Sequence, residues 1–130
     1  MFTIDQIKTA HAKVKSGADF PAYIQEIKQL GIKSYETFVA DGHSRYAGGE
    51  SHTASSGPKY GPLDIAPESN QPDFQKDLKE HQQGKTDYLA FCKIAAAHGV
   101  EKWSVDLAKM TCTYYDLSGK ALLVESIPEP

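Results

Sequence analysis

Five histidines and two cysteines are the residues whose types suit metal or nucleophilic chemistry. Their spacing does not organise them. There is no His-x-x-x-His pair and no Cys-x-x-Cys, the spacings that bring two ligands together on one helical face or turn. His11 and His81 fall on otherwise apolar helical stripes, where the ordinary role is a hydrogen-bonded histidine at the core edge. His98 falls in the last turn of a helix, where the dipole favours a cation. Cys92 and Cys112 fall at core-facing positions, and no nearby basic pattern marks either as a low-pKa nucleophile, a setting for small apolar fillers. Asp73, Asp77 and Glu80 belong to a solvated helix face, and no two carboxylates form a pair. No glycine-rich phosphate cradle and no nucleophile elbow is present. No catalytic motif is recognised, so catalytic residues stay unknown and enzyme status stays open. No metal site is identified and no cofactor is implied.

Two groups of residues remain as candidates for binding. Tyr114 and Tyr115 are adjacent, so on a strand they point to opposite faces. If helices cover one face, Thr111, Thr113 and Tyr115 line the other. His43, His52 and Tyr60 bracket a glycine-rich stretch, and loops on rigid scaffolds disproportionately carry function.

The elements that must hold these residues are legible in the hydrophobic period. Thr3 with Gln6 makes a capping box, followed by Ile4, Ile7, His11 and Val14 at helical spacing, and Ser16-Gly17 is the expected stop. Asp19 caps a second helix with the apolar face Phe20, Tyr23, Ile24, Ile27 and Leu30, which Gly31 ends. Then the period becomes two. A strand over 32–40 leads through Asp41-Gly42, read as a type I′ hairpin turn, into a return strand over 43–47. Residues 48–58 are small and polar with no period, which predicts a flexible loop. A short strand is expected at 60–66, with Pro62 confining it to an edge. Asn70 caps a third helix with Phe74, Leu78 and His81 inward; Thr86 caps a fourth with Tyr88, Phe91, Cys92 and Ala95 inward. From Gly99 a meander follows: strands through Trp103 and Tyr114, a turn near 107–110, and a last strand over 120–126.

An offset of 68 residues carries Gly31 onto Gly99 and pairs Asp19 with Asp87, Tyr23 with Phe91, Tyr35 with Trp103, and Tyr46 with Tyr114. The first helix of each half aligns with one residue of slippage, Ile7 onto Phe74. The pattern reads as an internal ααββ(β) duplication, with residues 1–49 and 70–127 as pseudo-repeats within one domain spanning 1–130. The fold class expected is α+β: an antiparallel sheet with four helices packed mainly on one face.

A hydrophobic share of 40% and a charged share of 24% are those of a globular protein. A formal net charge of -3 with no local Lys/Arg cluster argues against nucleic-acid and anionic-membrane partners. Met1 leads into a polar, helix-like stretch without a signal sequence, and no apolar run is long enough to span a membrane. With reduced cysteines, the localisation expected is cytoplasmic.

Several stretches resemble a bacterial family of unknown function whose members are often labelled phage envelope protein-like. They are His81-Gln82-Gln83-Gly84-Lys85-Thr86-Asp87-Tyr88, Phe91-Cys92, Gly99 to Trp103, Met110 to Asp116, and Ser34-Tyr35-Glu36-Thr37. The resemblance covers nearly the whole chain and implies at most a phage-derived origin; it brings no catalytic residues. The function expected is therefore a small soluble binding or interaction domain, a homodimer or protein partner using the open sheet face. The alternative is a metal-dependent or hydrolytic enzyme built on the loop histidines.

Overall fold

The computed structural model describes residues 2–15 and 19–128. Helix α1 (Ile4–His11) starts at the capping box expected: the Thr3 side chain accepts from the Gln6 backbone, and the Gln6 side chain answers at the Thr3 N–H. It ends earlier than its apolar stripe suggested, so Val14 lies beyond it and packs on the core from the following turn. The expected stop at Ser16-Gly17 lies outside the described residues. Helix α2 (Phe20–Gln29) carries Pro in its first turn, where no N–H is needed, and buries Tyr23, Ile24 and Ile27. Helix α3 (Gln71–Gln82) is capped by Asn70 as expected. Helix α4 (Tyr88–Ala97) is capped by Asp87, whose carboxylate accepts the Ala90 N–H at 2.7 Å. Thr86, expected as that cap, bonds His81 instead.

Strands β1 (Ile32–Phe38), β2 (Ser44–Gly48), β3 (Thr53–Ser55), β4 (Lys102–Asp106), β5 (Thr111–Tyr115) and β6 (Ala121–Ser126) form one antiparallel sheet in the order β3-β2-β1-β4-β5-β6. The fold is α+β, as the sequence predicts. Buried Tyr35, Thr37, Tyr46, Trp103, Val105, Cys112 and Tyr114 share the sheet face that packs against α1–α4.

Three local expectations are corrected. The β1–β2 connection is not a type I′ turn: Gly42 has positive φ but Asp41 does not. A four-residue loop closes instead through Phe38 N–H to His43 O and Gly42 N–H to Phe38 O, while the Asp41 carboxylate takes the His43 N–H. The stretch 48–58 is not all loop. It holds a 3₁₀ turn, Gly49–Ser51, and then β3, which three residue pairs join to β2. Three residues are too few to show a period in sequence. Conversely, 60–66 forms no strand. Single bonds tie it down, Leu63 N–H to Ala40 O and Ala66 N–H to Ala96 O, and Pro62 has no N–H to extend a ladder.

The pairing register has a near two-fold form. The 68-residue offset carries the β1–β2 pairs Ser34–Ala47, Tyr35–Tyr46, Glu36–Arg45 and Thr37–Ser44 onto Lys102–Tyr115, Trp103–Tyr114, Ser104–Thr113 and Val105–Cys112, all observed between β4 and β5. The central β1–β4 register maps onto itself about Glu36–Ser104. No helix among the described residues is long and apolar enough to cross a membrane.

Candidate functional site: an aromatic cavity between helices and sheet

The sequence-derived candidates do not converge. Thr111, Thr113 and Tyr115 lie on the open sheet face, cross-strand from Asp106, Ser104 and Lys102. His43 is on the same face, stacked on Phe38 at 4.5 Å with its Nδ1 on the Asp41 carboxylate. Arg45 and Lys102 both sit 5.7 Å from the Phe38 ring centre, and Lys102 also pairs with Glu36 and covers Tyr115. The open face is thus a lattice of charges over aromatic rings. His52 is elsewhere, its Nε2 3.0 Å from the Phe2 carbonyl oxygen. Tyr60 is an anchor: its hydroxyl donates to the Val39 carbonyl at 2.6 Å, and its ring fills the space beside Gly42. Among the described residues no group of three or more His, Cys, Asp or Glu is placed to hold a metal ion.

A different site lies beneath the helices. A cavity of about 730 Å³ separates them from the sheet. β1, β2, β4 and β5 supply its floor through Tyr35, Tyr46, Trp103, Cys112 and Tyr114. α1, α2, α3 and α4 supply its roof through His11, Tyr23, His81, Tyr88 and Phe91. The alternation of the strands puts these rings on one face, and the helical spacing of His11 and Tyr88 brings them over it. Exposed Lys15, Gln82 and Pro128 form the rim.

The wall is aromatic in its bulk and polar at its tips. Buried Tyr and Trp normally place their O–H or N–H on a partner. Here the Tyr35 residue is 5% exposed and Trp103 7%, yet no hydrogen bond among the described residues engages the Tyr35 hydroxyl or the Trp103 indole N–H. Neither is a sealed-in orphan, because no buried side-chain N or O among the described residues lacks a partner. Both groups border the cavity.

Burial raises the phenols of Tyr23, Tyr35, Tyr88 and Tyr114 far above their ordinary range, so all stay protonated donors. The Cys112 thiol is pushed up to about 12 by burial, and burial also raises Cys92, against the opposing influence of the nearby Tyr60 and Tyr88 hydroxyls and Lys59. Neither thiol is a thiolate nucleophile at neutral pH. Burial lowers His11, helped by nearby Lys59, and lowers His81, against its bond to Thr86; both rings are neutral at pH 7. His81 stacks on Phe91 at 4.3 Å with Nδ1 on the Thr86 hydroxyl, whereas His11 meets Tyr23 and Tyr88 edge-on. Lys59 is exposed as a residue, but its ammonium is tucked 5.4 Å from the Tyr88 ring centre, and that desolvation lowers its pKa.

Sequence reading placed these rings correctly on the inner faces but took them for core. The signal available was their type: Tyr, Trp and His where a sealed core prefers Leu, Ile and Phe.

Fold and cavity together define an antiparallel α+β domain with an aromatic hollow between its layers. The model of a family described as protein of unknown function (DUF1398) matches residues 8–126, and the chain belongs to that family. No curated protein matches the chain.

Proposed function

We propose that this domain binds a small molecule in the cavity between its helices and its sheet. The observation that carries the reading is a pair of donors, Tyr35 O–H and Trp103 N–H, that have no hydrogen-bond partner among the described residues and border a cavity of about 730 Å³. Ligand pockets combine that kind of volume with mostly aromatic walls and a few fixed polar groups. A stability-only core has no use for such space, since empty volume costs packing energy. The raised thiols and phenols favour binding over nucleophilic chemistry.

Trp103 is the only tryptophan, so its emission reports directly on filling. Titration with 2-naphthol, indole and 4-hydroxybenzoate is expected to give a saturable change with at least one of them and to raise the melting temperature. Tyr35→Phe is expected to weaken binding of the hydroxylated ligands. Unchanged emission and melting with all three at millimolar concentration would sink this reading.

Self-association through the open sheet face has one observation in its favour, Val124 at 60% exposure beside Thr113. Light scattering at high concentration tests it: a dimer dissociated by Val124→Asp supports it, and a monomer removes it.

A further inference from the structure

The aromatic cavity has a neighbour. A vestibule of about 260 Å³ lies against α1 and shares His11, Tyr46 and Lys59 with the main cavity. Its wall also carries Lys8 and contains no Asp or Glu. Lys8 and Lys59 are close enough to repel one another, and among the described residues neither has a carboxylate at ion-pair distance. The Lys59 ammonium, partly desolvated over the Tyr88 ring at the junction of the two cavities, would gain from an anion joining it there. Of the two acidic residues that line the main cavity, Asp87 caps α4 with its carboxylate on the Ala90 N–H, and Glu125 is far away. It stands on β6 in the cross-strand row that begins at Tyr46, four strand spacings or about 19 Å across the sheet.

We propose that the Lys8–His11–Lys59 vestibule receives the carboxylate of an aromatic acid whose ring system lies in the adjoining cavity. This rests on the reading of the cavity as a ligand site and specifies the ligand's chemistry. The ring system is dictated by the walls: Tyr46, Tyr88 and Trp103 offer faces and edges to a planar body, which aromatic pairs favour over chain-like ones. Oxygen substituents on the rings would meet the free Tyr35 and Trp103 donors. The vestibule offers ammonium groups but no Arg fork for a phosphate, which favours a monoanionic head.

The probe is 6-hydroxy-2-naphthoate, with 6-hydroxy-2-naphthamide as its neutral counterpart, titrated by calorimetry into the full chain. The acid is expected to bind at least about tenfold more tightly than the amide, an advantage that shrinks as salt is raised. Lys59→Met keeps the stem but removes the charge, and should bring the acid to the amide's affinity. Lys59→Arg should retain most of the difference, and Lys79→Met, on the exposed side of α3, should change nothing. Melting curves confirm that each variant folds. Equal binding of acid and amide to the unmodified chain, or an unchanged ratio in Lys59→Met, overturns the anionic head while leaving the cavity reading intact. Binding of neither compound overturns both.

Discussion

At the scale of single residues, the two cavity histidines set a pH dependence. Both have folded pKa values below the ordinary 6.5, His11 through burial and Lys59, His81 through burial against Thr86 and Asp87. The unfolded chain therefore binds more protons just below pH 6.5, so stability is full above that pH and declines as pH falls through the lowered values. Melting temperature should drop between pH 7.5 and 5.5, and His11→Gln with His81→Gln should flatten that slope; the same slope in the double variant would contradict the argument. Phe74 is fully buried between Phe91 and Tyr114. Phe74→Ala should cost about 3–5 kcal/mol by denaturant titration. Both histidines were legible as members of apolar stripes. What could not be read is that their stripes stop short of closing, because a cavity is a property of layer separation and not of any one residue's type.

At the scale of elements, capping and turn chemistry carry most of the specification. Asp87→Ala should destabilise by about 1 kcal/mol through loss of the bond to Ala90 N–H, measurable by chemical denaturation. The two helix-ending glycines differ in an instructive way. Gly31 and Gly99 both have positive φ, but a Cβ on Gly31 meets nothing within 4 Å, whereas one on Gly99 would lie 2.7 Å from the Glu68 carbonyl oxygen. Each Gly→Ala change bears the left-handed cost of about 1–2 kcal/mol. Gly99→Ala should add roughly 1–3 kcal/mol more from the clash, and equal losses at the two sites would refute that. Sequence reading found four helices and five of the six strands because periodicity and caps are local. It missed β3 because three residues carry no legible period, and it placed a strand at 60–66 where Pro62 leaves the segment to single tethers while the β2 edge goes to Thr53–Ser55.

At the scale of the whole molecule, the β1–β4 pairing joins the two halves through one central ladder, and the rings of both halves meet in one cavity. Neither half buries its inner face alone. Unfolding should therefore be one cooperative transition, with Trp103 emission and far-ultraviolet circular dichroism coincident in urea; separated midpoints would show that the halves melt independently. The 68-residue offset read in the sequence falls in step with the pairing register, but the space between helices and sheet could not be read from it.

That near two-fold register bears on how a guest would lie. A symmetric hollow would accept a rod-like molecule equally well in either direction. The lining breaks that degeneracy. The repeat offsets put Leu78 where the other half has His11, and Ile127 where it has Lys59, and all four line the cavity. His81 stands opposite Val14, but its Nδ1 is already committed to Thr86. A pairing scheme that repeats itself thus encloses a chamber with a head and a tail, and a molecule entering it would have one way round to sit.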